Sequence, residues 1–373
     1  MVFSRLLANE NLISIDIGSC NIKIIYVDVA KHGGAITHAV SCPTPPDAVK
    51  EGIIINALET AEAIQFAMRS AGIKGANAVT AIAGPGVVVR TVVMPRMSEQ
   101  ILRKSIRFEA GKYISVPMED SVVEFDILGD APDNQMSVAL VAAPREMIDS
   151  RATVLEQSGL EPLSIDIEAF ATLRALVEMN PDESFRKGTI ALLDIGSSHT
   201  EINLVSSGVL MLTRTIPIAG TALTNAIKGA ESCSDQDAEQ IKHALDITPS
   251  ADLSAASGPS TSLRSVQQLI DELLREIRRS FNYYQSQLPE GASESAIERV
   301  VITGGSSRMK GLAPYMQSRL NVDVTLGNPL SWMPNTSSSH IEGLDEEDYP
   351  LFTVALGLVA RELSVTRKYA KKA

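Results

Sequence analysis

Apolar residues in this chain recur in two rhythms, and the switches between them divide it into elements. Residues 12–29 carry two hydrophobic runs separated by a short turn of small and polar residues, Gly18-Ser19-Cys20, so they read as strand, turn, strand. Gly33-Gly34 reads as the next turn of a meander. Cys42-Pro43-Thr44-Pro45-Pro46 reads as a loop, because proline removes a donor and fixes φ. A helical period follows, with Ala61, Ile64, Met68 and Ala71 on one face and Gly72 as the stop. Residues 78–83 form an unbroken apolar run that reads as a buried strand, ended by Gly84-Pro85-Gly86.

Residues 87–168 predict a unit of their own. Strand 87–94 precedes a helix that Ser98 caps and that carries Leu102, Ile106, Ala110 and Tyr113 on one face. Strands 122–128 and 137–142 flank a polar turn, and helix 145–158 shows Ile148, Ala152 and Leu155 on one face before Gly159 and a strand at 163–167. The order β-α-β-β-α-β predicts a small sheet with both helices on one face, inserted into the first domain. A helix at 170–179 and a polar hinge at 181–188 close the first half.

The second half restarts the programme, with strands at 189–193, 201–205 and 209–216 and helices that include 235–245. Residues 248–262, rich in Ser, Ala, Pro and Gly, read as a loop. A long helix at 263–288 presents Leu269, Ile270, Leu273, Leu274, Ile277, Phe281 and Tyr284 as a core face. Strand 299–303 runs into Gly304-Gly305-Ser306-Ser307, and a helix follows Gly311. Residues 334–349 read as a solvated acidic loop, and 351–363 as a final helix ending near Arg367, Lys368, Lys371 and Lys372. The expected domains are 1–187 (with 87–168 inserted) and 188–350, with the last helix, 351–373, packing back on the first.

One motif occurs twice. Ile15-Asp16-Ile17-Gly18-Ser19 returns as Leu193-Asp194-Ile195-Gly196-Ser197, each time between two strands. A single Asp-x-Gly-Ser is an ordinary turn; two in matched contexts, half a chain apart, point to a shared task. Gly18 and Gly196 allow the backbone close to a ligand. Ser19 and Ser197 add hydroxyls beside backbone N–H groups, a concavity suited to phosphate. Asp16 and Asp194 suit Mg²⁺ or its waters, and Lys23 lies within reach of the same anion. Facing each other, two such hairpins would clamp a nucleoside polyphosphate.

Composition narrows the field. A formal net charge of −12 over 373 residues argues against a nucleic-acid binder. No apolar run approaches the ~18 residues of a membrane span, and the start of the chain lacks a secretory apolar segment. Residues 2–7 are mildly amphipathic. Cys20, Cys42 and Cys233 give neither a disulfide framework nor a metal knuckle, and the five histidines are scattered. A soluble, cytoplasmic protein is expected.

The two hairpins and the late Thr303-Gly304-Gly305-Ser306 resemble the actin/Hsp70/sugar-kinase ATPase superfamily. The implied fold is α/β, the actin-like or ribonuclease-H-like two-domain ATPase fold, with ATP and Mg²⁺ as cofactors. The resemblance places Gly18, Ser19, Cys20, Asn21, Lys23, Gly196, Ser197, Ser198, His199 and Thr200 at the phosphates, and Asp16 and Asp194 at the metal. It places Gly220, Glu239, Lys242, Gly304, Gly305, Ser306 and Arg308 around the adenosine. Ala355-Leu356-Gly357 is similar to the small-residue crossing between domains. Where many members carry a second glycine two places after the first, this chain has Ser198, which implies slow turnover. Asp166 and Glu168 are the candidates to orient the attacking water, with a salt bridge or helix cap as the competing role.

Within the superfamily the inserted unit is similar to that of FtsA and its relatives. Pro43-Thr44-Pro45-Pro46 with Glu51-Gly52, Met94-Pro95, the run from Phe108 to Pro117, and the run from Glu276 to Tyr284 resemble the PilM family of type IV pilus assembly proteins. That resemblance implies an ATP-binding scaffold peripheral to the inner membrane. Its implied partner is the cytoplasmic N-terminal tail of PilN, bound in a groove between the first domain and the insertion. Other platform proteins and the assembly motor ATPases are further implied partners, and self-association stays open. The alternatives are an FtsA-like division anchor and a small-molecule kinase on the same fold.

Overall fold

The structure, a computed structural model, describes residues 11–28, 35–75, 77–114, 117, 119–249, 260–288, 297–333 and 341–370. The readings made for residues 2–7, for Gly33-Gly34, for most of the 248–262 loop and for the basic chain end lie outside the described residues or side chains.

The first half runs β1 (Leu12–Ile17), β2 (Asn21–Asp28), β3 (Ala35–Pro43), β4 (Val49–Lys50), β5 (Ile53–Ile54), α1 (Ala57–Ser70) and β6 (Asn77–Ile82). It continues with β7 (Val88–Pro95), α2 (Glu99–Ala110), β8 (Ser121–Ala131), β9 (Gln135–Pro144), α3 (Arg145–Gln157), β10 (Glu161–Ile167) and α4 (Glu168–Leu173), which a π-helical turn, Arg174–Glu178, extends. After the short α5 (Ser184–Lys187) come β11 (Thr189–Ile195), β12 (Thr200–Ser206), β13 (Val209–Ile216), α6 (Gly220–Glu231), α7 (Asp235–Ala244), α8 (Thr261–Ser286), β14 (Arg299–Thr303), α9 (Leu312–Leu320), β15 (Asp323–Leu326) and α10 (Thr353–Ala370).

Two sheets carry the molecule, and they share one plan. The first has the order β10-β6-β1-β2-β3; the second contains β15-β14-β11-β12-β13. In each, an antiparallel meander pairs through its first strand with a parallel strand, which pairs with another. The repeated motif is therefore the visible part of a repeated fold, and each copy ends the first strand of its sheet. All six residues of β1 are buried, as expected for a strand with both faces covered. One face meets α1 and α3 through Ile13, Ile15, Ile64 and Leu155; the other meets α10 through Leu12, Leu356 and Val359.

The six elements of residues 87–168 occur in the expected order, but they do not form one sheet. β7, β9 and β8 prolong the second sheet beyond β13, where Arg90 pairs with Leu212 and the Thr91 hydroxyl donates to Leu210 O at 2.8 Å. Of the two helices, α2 covers these strands, burying Leu102, Ile106 and Ala110 against Met94, Met136 and Leu140, whereas α3 meets them only at their root, where Met147 packs with Val89 and Ala143. α3 and β10 belong to the first sheet, with Val154 and Leu155 in the same cluster as Ile13 and Ile64. The physical reason is register. β10 finds a parallel partner in β6, and α3 has an apolar stripe that fits α1.

Two further expectations change. Pro43 ends β3, an edge strand where a missing donor is tolerated. Of the acidic stretch 334–349, the described part packs against that edge: Ala39 N donates to Glu342 O at 2.8 Å, and Ile341 and Leu344 are buried. The final helix crosses α4 at close range. A Cβ on Gly357 would stand 1.9 Å from Ala171 O, so only glycine permits the approach. The Ser14 hydroxyl also donates to Ala355 O at 2.8 Å, tying β1 to α10.

Candidate functional site

The two repeated turns have the same backbone bond: Gly18 N donates to Asn21 O and Gly196 N to His199 O, each at 3.1 Å. Each turn is braced from outside. Thr44 donates its hydroxyl to Gly18 O at 2.7 Å and its amide to Cys20 O at 2.9 Å. The first amides of α6, Gly220 N and Thr221 N, donate to Gly196 O and Ser197 O at 3.1 and 2.8 Å, and the Ser306 hydroxyl reaches Gly196 O at 2.8 Å. The turns then meet, with the Ser19 and Ser197 hydroxyls 2.6 Å apart.

Beneath them opens a cleft of about 240 Å³ lined by both hairpins, α4, α6, α7, the Gly304 turn and the segment before α10. It gathers Asp16, Gly18, Ser19, Cys20, Asn21, Lys23, Glu168, Asp194, Gly196, Ser197, Ser198, His199, Gly220, Glu239, Lys242, Gly304, Gly305, Ser306 and Arg308. Two expected residues are elsewhere. Thr200 is buried and donates to Ile218 O at 2.7 Å, so it supports the turn from behind. Asp166 receives Arg174 at 2.5 Å and Arg361 at 3.4 Å and accepts from Ile167 N, which is the salt-bridge role.

The electrostatics follow from register. Asp16 and Asp194 hold equivalent places, but the residue opposite Asp16 is Lys23 and the residue opposite Asp194 is Glu201. Lys23 lies 2.7 Å from Asp16, and although burial opposes its charge, Asp16, with Glu168 and Asp194, more than offsets this and raises its pKa. The second hairpin sets two carboxylates side by side, which is unfavourable across a strand pair. Burial, then the Asp16 charge, pushes Asp194 up to about 6; burial, then Asp194, pushes Glu201 up to about 8. Glu168 is raised well above the usual carboxylate range by burial and by Asp16, Glu201 and Asp194. Glu201 Oε2 is buried without a hydrogen-bond partner.

This donor set fits a divalent cation that brings its own ligands. Among the described residues no three acidic, histidine or cysteine side chains come together as a direct metal cage. Such a cation would take most ligands from phosphate and water, as Mg²⁺ commonly does, with Asp16 and Asp194 on the protein side.

On the far rim, Glu239 and Lys242 stand 2.7 Å apart, and Lys242 also donates to the Thr224 hydroxyl at 2.8 Å. Gly304 has φ +86°, and a Cβ there would lie 2.2 Å from Asp194 Oδ1. Arg308 is paired with Asp348. His199 shares a 2.9 Å contact with the neighbouring Ser198 hydroxyl, and burial lowers its pKa. Sequence reasoning missed Glu201, Arg151, Glu51, Thr221 and His243, which also line the cleft. The register opposite Asp194 was the available signal for Glu201; nothing local marked Arg151.

A second hollow, of about 750 Å³, lies between α1, α3 and the root of the projecting strands. Ile53, Ile54, Ile55 and Ala57 give it an apolar side, and Asp120, Arg145, Glu146, Asp149 and Thr153 a charged one. Ile55 is 56% exposed.

Twin sheets of this plan, with paired turns closing over an acidic cleft, define the actin-like ATPase fold. The solved PilM–PilN type IV pilus biogenesis complex contains a similar chain, at TM-score 0.78 and 24% identity, over 94% of this chain and 98% of that one. MreB 5 of Spiroplasma citri bound to AMPPNP is similar at TM-score 0.54 and 11% identity, over 98% and 99%. The cell division protein FtsA of Pseudomonas aeruginosa is 25% identical over 400 residues, spanning 94% of this chain and 89% of that protein. The family model described as type IV pilus assembly protein PilM matches residues 14–363, and the chain belongs to that family.

Proposed function

We propose that this protein is a nucleotide-binding scaffold of the type IV pilus assembly platform, which grips ATP with Mg²⁺ between its two hairpins and holds the cytoplasmic N-terminal tail of PilN. The observation that carries the nucleotide reading is the meeting of the two turns over a cleft whose buried acids outnumber their cations. Gly18, Ser19, Cys20, Asn21, Gly196, Ser197, Ser198 and His199 supply the phosphate turns, and Asp16 and Asp194 hold the metal side. Thr200 supports the second turn from behind. Gly220, Glu239, Lys242, Gly304, Gly305, Ser306 and Arg308 border the adenosine. A bound magnesium ion would supply positive charge beside the crowded Asp194 and Glu201 carboxylates, whose pKa values burial and neighbouring carboxylates raise. Lys23 exchanges its hold on Asp16 for one on phosphate.

Turnover is slow in this reading. Ser198 puts a side chain where the second turn would otherwise wrap most closely, and burial with the neighbouring Asp16, Glu201 and Asp194 favours the proton-bound form of Glu168, the form that cannot take a proton from water. Its role is to crowd the phosphate end with polar atoms.

The PilN tail occupies the hollow beside α3, where Ile53 and Ile55 offer apolar anchors and Asp149 and Arg145 offer charge. A short peptide in such a groove gains main-chain bonds and side-chain pockets. The likeness to the chain of the PilM–PilN complex supports this partner. Fluorescence anisotropy with a labelled peptide of the PilN N-terminus is the test. Ile55→Asp is expected to weaken binding at least tenfold without changing nucleotide affinity; unchanged peptide binding by this variant would move the tail elsewhere. The protein is then cytoplasmic and reaches the inner membrane through partners. No helix among the described residues is long and apolar enough to cross a membrane.

A further inference from the structure

Arg151 is the largest fully buried side chain of the described residues, at 1% exposure. It lies on the apolar stripe of α3, between Met147 and the Val154–Leu155 pair, which are buried with it. Burying a guanidinium costs several kcal/mol unless its donors are used. Two of them are. Nε donates to Ala81 O at 3.1 Å and Nη2 to Ile17 O at 3.3 Å, so the group is pinned where β6 and β1 run out, next to Gly18. Nη1 is buried, has no hydrogen-bond partner, and belongs to a side chain that lines the cleft. Among the described residues no carboxylate lies within ion-pair distance; Glu168 and Asp16 act on the group from farther off, and burial lowers its pKa.

A guanidinium fixed by two carbonyls, with one donor left unpaired on a side chain that lines the cleft, is a prearranged anion donor. The ends of parallel strands are where α/β proteins place ligands. We propose that Arg151 is a further phosphate-binding residue of this cleft, the one that takes the terminal phosphate of a bound nucleoside triphosphate. This rests on the nucleotide reading above and deepens it. Lys23 is already committed to Asp16 at 2.7 Å, whereas Arg151 needs no partner exchanged to accept an anion. Because α3 also walls the second hollow through Asp149, Ser150 and Thr153, the residue that senses the third phosphate sits on the helix that shapes the peptide groove. Ser150 accepts from Ile54 N at 3.3 Å, which joins that helix to the apolar side of the groove.

The test is calorimetric titration of ATP and of ADP, each with Mg²⁺, into the full chain and into Arg151→Met and Arg151→Lys, with thermal unfolding of each without nucleotide. Wild type is expected to prefer ATP over ADP. Arg151→Met loses at least tenfold in ATP affinity, about 1.4 kcal/mol, and less than twofold in ADP affinity; Arg151→Lys loses part of the same preference. Equal losses for both nucleotides, or no loss for either, would make Arg151 a purely structural cation and overturn the proposal. If Arg151→Met does not fold, the ATP-to-ADP ratio of Arg151→Lys decides, a wild-type ratio overturning it. Wild type that binds neither nucleotide would remove the nucleotide reading along with this one. Wild type that binds both, with the ratio unchanged in the variants, removes this proposal alone.

Discussion

The Ser19 and Ser197 hydroxyls lie 2.6 Å apart although 178 residues separate them in the chain. They sit at the same place in two copies of one turn, so the contact joins the two halves of the protein at the mouth of the cleft. A hydroxyl pair of this kind contributes about 0.5–1.5 kcal/mol. A double-mutant cycle with Ser19→Ala and Ser197→Ala, read by denaturant unfolding, is expected to return a coupling in that range. The coupling should shrink when nucleotide is present, because both hydroxyls then have phosphate to bond.

Gly304→Ala should separate binding from folding. A Cβ at this position meets Asp194 Oδ1 at 2.2 Å and Ile195 O at 2.7 Å, and φ is +86°. The positive φ costs a side chain on the order of 1–3 kcal/mol, and to admit the Cβ the Asp194 carboxylate moves away from the metal side together with the backbone at Ile195. Nucleotide affinity is expected to fall more than tenfold, while the melting temperature drops by only a few degrees. A variant with normal ATP affinity would mean that Asp194 has no part in binding.

Stability should depend on pH through the second hairpin. Asp194 is pushed up to about 6 and Glu201 to about 8, chiefly by burial and then by neighbouring carboxylates, Asp16 for the first and Asp194 for the second. A carboxyl whose pKa rises on folding binds protons as the chain folds. Its contribution is complete below its unfolded pKa of about 4 and is lost as pH rises through the folded value. In the nucleotide-free protein, Glu201→Gln removes that loss. Its melting temperature is expected to exceed that of wild type by several degrees at pH 8, with the gap closing toward pH 5. A gap that does not change with pH would contradict the assignment.

The twin turns were legible because a short motif recurred with its strand context, and β1 and β11 were legible because strands buried on both faces are mainly apolar, with only Ser14 and Asp16 polar in β1 and Thr189 and Asp194 in β11. Sheet membership was not. Strands β7 to β9 alternate well enough to be recognised, yet nothing in them says that they continue β13 rather than pair with β10. Arg151 was invisible for a related reason. The stripe through Ile148, Ala152 and Leu155 expected for α3 is rotated by about one residue from the observed one, Met147, Arg151, Val154 and Leu155, and an arginine on a helix ordinarily marks its wet side. Asp166 stands at the strand-to-helix junction, where a site residue and a salt bridge were both open readings, and Arg174, 8 residues away, and Arg361, in the last helix, claim it.

In the proposed function both hairpins grip one nucleotide. Equilibrium binding of ATP with Mg²⁺ to wild type, Asp16→Ala and Asp194→Ala, with ADP release followed in the same samples, tests it most directly. Tight binding by wild type, at least tenfold weakening by each substitution and little ADP formed are expected. Binding that either substitution leaves intact, or fast turnover stimulated by a small-molecule acceptor, would contradict it.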